Sequence, residues 1–321
     1  MNPWFNHHLV VSVRIVCFNH FSMLRTFLQR DMLWFHGSKA SFTRLLSTAV
    51  NGVNPLKIIS AAKSIPHPEK KQGEDAFFFN EFAAGVADGV GGWRQHGVDP
   101  GEFSRSLVTN MNTSISKPVT DASDLKWKAI SVAQSTCSSV LLGSSTLCAL
   151  ALGVDNKAFY YNIGDSGFFL FRFGAPQPTA QRKEWFVHSV SPKQCHAFNF
   201  PFQLGKGADS PMMGVSGPLD VQRGDLCLIS SDGLLDNVWP KDLVALLNDY
   251  WKNGMPAEGV NQDSLQEVVN KIVDFTFKKS GSRASTPFEQ EALQNGYRYE
   301  GGKPDDITAV LTLFSSTGLE E

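Results

Sequence analysis

The chain has 321 residues, of which 42% are hydrophobic and 19% charged, the composition of a globular protein with a large core. Its formal net charge of −2 provides no overall attraction to nucleic acid or to acidic lipid, because long-range steering needs an excess of one sign. The five cysteines form no C-x-x-C pair and have no histidine partner at zinc spacing. We therefore expect one main domain with free thiols, a monomer, and no nucleic-acid partner.

The first 50 residues differ in charge from the rest of the chain. They contain five basic residues against a single acid, Asp31, mixed with Leu, Val, Phe, Ser and Thr. This composition is typical of a mitochondrial presequence, so we predict a targeting leader over residues 1 to 50 and a location in the mitochondrial matrix. An unstructured tail on a cytoplasmic protein is the alternative. The apolar run Leu9–Phe18 is interrupted by Arg14 and is shorter than the roughly 20 residues that a membrane span needs, so none is predicted.

Strands and helices are predicted from residue 56 onwards. Residues 51 to 73 contain three prolines and are interpreted as a polar connection, with the domain beginning near residue 56. Short apolar stretches between turn residues predict strands, and apolar residues three or four apart predict helices. A segment rich in Gly and Pro, 281–304, is predicted as a loop. The predicted strands are 76–79, 82–87, 146–154, 158–163, 168–173, 225–230 and 307–314, and the predicted helices are 103–111, 127–141, 241–251 and 265–273.

The order of these elements indicates the fold class. Strands follow one another in groups, and so do helices, whereas in a βαβ fold single strands and single helices would alternate along the chain. This order favours a layered domain. We therefore predict an α+β fold, a β-sandwich of two antiparallel sheets flanked by helices in four αββα layers.

Acidic residues recur where an apolar strand ends or is about to begin. A single Asp-Gly pair is usually a tight turn, and Asp305-Asp306 can likewise be a turn before a strand. As a set, however, clustered aspartates repel one another and raise one another's pKa unless cations neutralise them. Ligand sets made only of oxygen favour Mg²⁺ or Mn²⁺ over zinc. The segments are Gly73-Glu74-Asp75, Ala87-Asp88-Gly89-Val90-Gly91-Gly92, Asn162-Ile163-Gly164-Asp165-Ser166-Gly167, Ser230–Asn237 and Lys303-Pro304-Asp305-Asp306-Ile307-Thr308.

These segments, in this order, resemble those of the metal-dependent protein phosphatases of the protein phosphatase 2C family. The resemblance covers roughly Lys57 to Phe314 and implies a catalytic domain over residues 51 to 321. It implies a serine/threonine protein phosphatase that acts on phosphorylated proteins through a metal-activated water. The implied cofactors are Mn²⁺ or Mg²⁺, two ions per site and a third that is held more weakly.

The resemblance also implies roles for individual residues. Asp88 matches a carboxylate that bridges two metals, and Gly89 matches a residue that offers its carbonyl to one of them. Asp232 and Asp305 match the family's other direct ligands. With Asp88, these two aspartates are the predicted catalytic residues.

Three further acids match positions around those ligands. Glu74 and Asp75 correspond to acids that hold metal-bound water, and Asp165 corresponds to an acid associated with the third ion. Two alternatives remain open from the residues alone. One is a catalytically silent module that binds phosphoproteins, and the other is a metal-dependent hydrolase of small phosphate esters.

Three positions depart from the commonest family pattern. Val90 stands where many relatives have a histidine that is thought to protonate the leaving group. Lys70 stands where relatives have an arginine that grips phosphate, so we predict a phosphate-binding lysine that acts as a point charge. Asp306 replaces an asparagine and adds a negative charge beside Asp305.

The stretch Gly91-Gly92-Trp93-Arg94, followed by Gly97-Val98-Asp99-Pro100, resembles the mitochondrial branch of the family, which is linked to coenzyme Q biosynthesis. Trp93 is a packed aromatic or a substrate contact, and His96 is a surface residue or a source of the leaving-group proton. Cys148 and Cys227 lie in apolar strands and are predicted to be core residues.

Overall fold

The computed structural model describes residues 55–177, 180, 182–255 and 259–316, so the predicted leader over residues 1 to 50 lies outside it. Each strand and helix is named here in chain order. The strands are β1 Leu56–Ile65, β2 Ala76–Phe79, β3 Ala83–Ala87, β4 Ser144–Ser145, β5 Leu147–Leu152, β6 Ala158–Ile163, β7 Gly167–Gly174, β8 Glu184–Val190, β9 Cys195–Ala197, β10 Phe200–Pro201, β11 Leu204–Gly205, β12 Val215–Leu219, β13 Leu226–Ser230 and β14 Ile307–Ser316. The helices are α1 Pro100–Ser114, α2 Ala122–Ser139, α3 Asp232–Leu235, α4 Pro240–Tyr250, α5 Gln262–Ser280 and α6 Pro287–Gln294.

Two five-stranded antiparallel sheets face each other. Sheet 1 has the strand order β1-β14-β13-β7-β8, and sheet 2 has the order β12-β6-β5-β3-β2. Side chains from both sheets, including Ile58, Val86, Phe168 and Ile229, form a buried cluster between them. Cys148 and Cys227 are fully buried in this layer, as predicted. The predicted sandwich of antiparallel sheets is therefore confirmed.

Helices cover the outer face of each sheet. Helix α1 begins at Pro100 after the Asp99 side chain accepts a hydrogen bond from the Gly101 N–H at 2.9 Å, a helix cap. Its residues Phe103, Leu107 and Met111 recur every four positions, so they share one face and are buried in a core cluster with sheet 2. Helices α4 and α5 cover sheet 1 in the same way. Four αββα layers result, and no helix among the described residues is long and apolar enough to cross a membrane.

Two segments predicted as connections contain regular structure, and strands β8 and β12 of the two sheets were not predicted. Part of the predicted connection 51–73 is strand β1, which pairs with β14 along its whole length, from Leu56 opposite Ser316 to Ile65 opposite Ile307. The prediction was wrong because the pairing partner lies far away in the sequence, where local composition gives no sign of it. Part of the predicted loop 281–304 is helix α6, which is capped by Thr286 accepting from the Glu289 N–H at 3.2 Å. This Thr-Pro-x-Glu pattern is a helix-start signal that was readable in the sequence.

Strand register brings the acidic segments to one edge of the sandwich. Ala76 pairs with Ala87, so Asp75 and Asp88 lie at the same end of the β2–β3 hairpin. In sheet 1, Ser230 pairs with both Gly167 and Ala309. Asp232, Asp165 and Asp305 each lie within a few residues of that row, because each follows or precedes one of these strand ends.

Candidate metal centre

A cavity of about 290 Å³ opens at this edge of the sandwich. Every residue that the sequence predicted for the site lines it except Asp75. Both walls are strongly polar and acidic. The lining residues are Lys70, Glu74, Asp88, Gly89, Val90, Gly91, Gly92, Thr146, Asp165, Asn199, Pro201, Asp232, Lys303 and Asp305.

Sheet 2 brings Asp75 and Asp88 to the site. Burial raises the pKa of Asp88 well above its usual range, and the nearby charges of Asp75 and Asp232 raise it further. Burial also raises the pKa of Asp75 to about 7, although the Ser231 hydroxyl donates to its Oδ2 at 2.7 Å and favours the charged form. Two carboxylates that are buried close together cannot both stay charged at a low cost in free energy without a cation.

Asp232 is the first residue of helix α3, directly after β13. It is 8% exposed, and the next residue, Gly233, allows a close approach of two chain segments. A Cβ on Gly233 would lie 2.0 Å from the carbonyl oxygen of Asp306. The Asp-Gly pair therefore does not form a hairpin turn here. It starts a short helix that is pressed against the Asp305-Asp306 segment.

Asp165 lies between β6 and β7, beside Asp232 and Asp236. Burial raises the pKa of Asp165 to about 8, and the charges of Asp232 and Asp236 contribute in the same direction. The preceding residue, Gly164, has a φ of +101°, a backbone conformation that favours glycine. The chain therefore turns sharply to bring Asp165 into this corner.

Lys303 is a residue of the cavity that the sequence reasoning missed. Its Nζ donates to Oδ2 of Asp232 at 2.6 Å and to Oδ2 of Asp236 at 2.8 Å. It also lies 3.2 Å from Oδ2 of Asp305. Burial raises the pKa of Asp232, but the Lys303 charge outweighs this and the pKa lies below its ordinary value. The available signal was a lysine two residues before a predicted ligand.

Lys70 organises the opposite wall with Glu74 and Asp306. Its ammonium contacts Glu74 and lies 2.8 Å from Oδ2 of Asp306. Asp306 also accepts the backbone N–H groups of His67 at 2.7 Å and Glu74 at 2.8 Å. The extra charge of Asp306 therefore faces Lys70. An ammonium has three N–H donors, so one donor of Lys70 is left for the cavity. Its phosphate-binding role stays a prediction.

Comparison with known proteins places this arrangement in a family. No protein-family model matches the chain. The Homo sapiens protein "Protein phosphatase PTC7 homolog" is 34% identical over 260 residues, which cover 75% of this chain and 81% of that protein. This chain belongs to the protein phosphatase 2C family. "Probable protein phosphatase 2C 80" of Arabidopsis thaliana is 34% identical over 276 residues, covering 84% of this chain. The match spans only 62% of the length of that plant relative.

Solved structures share the fold of this family member. The photosystem II phosphatase PBCP superimposes with a TM-score of 0.65 at 23% identity, covering 80% of this chain and 98% of that one. The catalytic domain of the serine/threonine protein phosphatase PstP, solved in complex with two manganese ions, gives a TM-score of 0.55 at 17% identity. It covers 81% of this chain and 100% of its own. These likenesses confirm the αββα fold of the family.

Several features of this protein phosphatase 2C family member suit a hard cation. Among the described residues, Oδ1 of Asp75 and Oδ1 of Asp232 are buried carboxylate oxygens without a hydrogen-bond partner. An unpaired buried oxygen of this kind is costly unless a cation satisfies it. A Cβ on Gly89 would lie 2.8 Å from the carbonyl oxygens of both Glu74 and Pro100, so only glycine fits beside Asp88.

The carboxylates as they stand do not enclose an ion. In the part of the chain that the structure describes, no three His, Cys, Asp or Glu side chains form a ready coordination shell. Lys303 already contacts one carboxylate oxygen of Asp232 and one of Asp305. The donor chemistry therefore fits Mg²⁺ or Mn²⁺, and binding would require some carboxylates to turn.

The family's usual histidine position is filled by Val90, whose N–H donates to the Ser144 carbonyl at 3.0 Å. None of the described residues that line the cavity is a histidine. The Trp93 indole N–H donates to the Ser144 hydroxyl at 2.7 Å, which favours its interpretation as a packed aromatic. His96 is exposed and packs edge-on against Trp93, with ring centroids 6.1 Å apart.

Proposed function

We propose that this chain is a metal-dependent protein phosphatase that hydrolyses phosphoserine and phosphothreonine in other proteins. The observation that carries the proposal is the meeting of Asp88, Asp232 and Asp305 in one cavity, although they are far apart in the sequence. Membership of the protein phosphatase 2C family supports the same activity. A cavity that opens at the surface suits a phosphorylated side chain presented by a protein.

In this proposal, Asp88 with the Gly89 carbonyl, Asp232 and Asp305 are the direct metal ligands. Glu74 and Asp75 hold water from the sheet 2 side, and Asp165 completes the acidic wall. Bound divalent cations would supply the activation of a water molecule and the neutralisation of phosphoryl charge. Lys70 contributes the third N–H donor of its ammonium to a phosphate oxygen. Glu74 and Asp306 hold that ammonium in place through the contacts described above.

We propose Mn²⁺ or Mg²⁺ as the cofactor, with two resident ions. The ligand set contains only oxygen, and hard cations prefer such sets. The PstP catalytic domain, which shares the fold, was solved with two manganese ions.

A phosphatase assay on the full chain tests the function. Turnover of a phosphoserine or phosphothreonine peptide is expected with Mn²⁺ or Mg²⁺ and should disappear when a chelator removes the metal. A small ester, such as p-nitrophenyl phosphate, is the comparison substrate. Much higher kcat/KM on small esters than on any phosphopeptide would favour the small-ester hydrolase. Phosphopeptide binding without turnover would favour the silent module, and full turnover in chelator would contradict the mechanism.

We further propose that the chain acts in the mitochondrial matrix. The support is the basic, acid-poor composition of residues 1 to 50. Fused to a fluorescent reporter, this segment should send the reporter to mitochondria. In the control fusion, Arg14, Arg25 and Arg30 are replaced by glutamine, and import should fail because the positive charge is reduced. If the reporter with the native segment stays in the cytosol, the alternative interpretation stands, in which residues 1 to 50 are an unstructured tail on a cytoplasmic protein.

A further inference from the structure

Three carboxylates lie close together beside the cavity, those of Asp165, Asp232 and Asp236. Asp232 and Asp236 both direct an oxygen at the ammonium of Lys303, and the charges of Asp232 and Asp236 both act on Asp165. Asp236 is 5% exposed and Asp165 is also 5% exposed. Negative charges that are this close together and this well buried from solvent need a positively charged partner. Among the described residues, Lys303 is the one whose ammonium contacts two of these carboxylates, those of Asp232 and Asp236.

Lys303 is held in place at both ends. Its backbone N–H donates to the side-chain oxygen of Asn237 at 2.8 Å, and the Asn237 amide donates to the Lys303 carbonyl at 2.8 Å. Asn237 follows α3 and also donates to the Gly233 carbonyl at 2.8 Å. At the other end, Nζ lies 5.0 Å from the centroid of the Phe288 ring. The lysine is therefore clamped to the element that carries Asp232 and Asp236.

An ammonium and a metal ion cannot share this corner. Nζ is within 2.8 Å of oxygens from both Asp232 and Asp236. A divalent ion held by Asp232 and Asp236 together would have to lie between the same two carboxylates, with their oxygens at about 2.0 to 2.1 Å in the case of Mg²⁺. The two cations would overlap and repel each other, so occupancy by one excludes the other.

We propose that the Lys303 ammonium serves as a built-in cation in place of a third divalent ion at the Asp165–Asp232–Asp236 corner. The chain would then hold two ions, and the third ion that the sequence led us to expect does not bind. Lys303 is a positioning residue, because its ammonium holds one oxygen of Asp232 at 2.6 Å and lies 3.2 Å from one oxygen of Asp305. The inference rests on the proposed function only in that two other ions bind nearby.

Counting bound ions tests the proposal directly. Mn²⁺ is titrated by calorimetry into the metal-free full chain, and the unmodified chain should bind two ions. In Lys303→Met the new side chain is of similar length but carries no charge, and this variant should bind a third ion. The matched control is Lys193→Met, because Lys193 is 40% exposed and its Nζ lies 3.9 Å from Asp236 but 2.7 Å from Glu291. The control should still bind two. Three ions in the unmodified chain, or two in folded Lys303→Met, would overturn the proposal.

A second variant covers the case in which Lys303→Met fails to fold. Asp236→Asn keeps the volume and removes one carboxylate that faces Lys303. Since Asp236 holds an ammonium and no ion in the proposal, this variant should also bind two ions with Kd values within about threefold of the unmodified chain. Loss of an ion in Asp236→Asn would place a metal at this corner and refute the assignment of Lys303.

Turnover on a phosphopeptide is measured with the same samples. Two bound ions without turnover would leave the Lys303 inference standing and count against the phosphatase activity. Turnover by an unmodified chain that binds three ions would support the phosphatase activity and overturn the Lys303 inference. The two proposals therefore fail through different readouts.

Discussion

Asp232 serves the fold and the cavity through its two carboxylate oxygens. Oδ2 accepts a hydrogen bond from Lys303 at 2.6 Å, while Oδ1 is buried without a partner among the described residues. The first oxygen is therefore committed to an internal ion pair, and the second is available to a cation. Asp306 shows the opposite arrangement, since both its oxygens are occupied by His67, Glu74 and Lys70.

We predict that Asp232→Asn folds but loses most of its activity. The substitution keeps the volume, and asparagine can turn its oxygen toward Lys303, but an uncharged NH2 group, which cannot bind a metal, then replaces the other oxygen. kcat/KM on a phosphopeptide should fall by about 10²-fold or more, the scale of losing a few kcal/mol of electrostatic stabilisation. Steady-state kinetics at saturating Mn²⁺, with circular dichroism as the folding check, measures this.

The matched control for that variant is Asp121→Asn. Asp121 is exposed and caps helix α2 by accepting from the Ser123 N–H at 2.7 Å, and asparagine caps a helix equally well. The control makes the same chemical change outside the cavity and should keep its rate. If Asp232→Asn also kept near-normal turnover, Asp232 would be only a structural residue of α3.

At the scale of elements, the site depends on how closely α3 approaches the segment before β14. Gly233 lies in the first turn of α3, and a side chain there would collide with the Asp306 carbonyl oxygen at 2.0 Å and contact the Asp305 Cβ at 3.3 Å. The Asn237 amide fastens the same two segments through the Gly233 and Lys303 carbonyls. Asp232 and Asp305 come from these two segments, so their spacing is set by this contact.

We predict that Gly233→Ala lowers both stability and activity. Ala would favour the helix locally, but the clash is with backbone, which cannot move as a side-chain end can, so overpacking should cost about 1 to 3 kcal/mol. A displacement of Asp232 by about 1 Å should also lower kcat by about 10²-fold. Chemical denaturation and kinetics measure the two effects.

Gly281→Ala is the control for this change. Gly281 follows α5 with a φ of −92°, and a Cβ there would meet no atom within 4 Å. Its stability should stay within about 0.5 kcal/mol of the unmodified chain, as for most surface changes. Equal stability of the two variants would show that α3 can move away at no cost.

At the scale of the whole molecule, the cavity lies where the two sheets meet. Asp75 and Asp88 belong to sheet 2, Asp232 and Asp305 belong to sheet 1, and Asp165 lies on the connection from β6 to β7, which crosses between them. Repulsion among these carboxylates acts across the sandwich. A cation bound there would therefore hold the sheets together as well as assist the reaction.

We predict that Mn²⁺ stabilises the folded chain strongly. Binding to the folded state alone adds about 2.7 kcal/mol when the free ion is at 100 times its Kd. Thermal unfolding with Mn²⁺ and with chelator should therefore differ by several degrees, about the shift expected for such an energy in a domain of this size. Asp232→Asn should show a smaller difference. An unfolding temperature that does not respond to Mn²⁺ would contradict a metal centre between the sheets.

Local sequence predicted most of the elements because their signals are local. The Asp155-Asn156 turn is one example, since both residues have a positive φ, at 59° and 60°, and join β5 to β6 as expected. The helix over Leu265–Val273 is another, because its apolar residues recur at helical spacing and form the buried face of α5. Strand β1 was not predictable in this way, since its partner β14 lies at the far end of the chain.

The sequence by itself determined the fold class, the family resemblance and the set of acids that meet in the cavity, because strand ends and Asp-Gly motifs are readable from neighbouring residues. Only the tertiary structure decided which way each acid faces. Asp305 and Asp306 are adjacent in the sequence, yet one faces Lys303 in the cavity and the other faces Lys70 in the wall. The physical reason is that a carboxylate turns toward the nearest cation. Those cations come from segments whose distance in space depends on the packing of the whole sandwich.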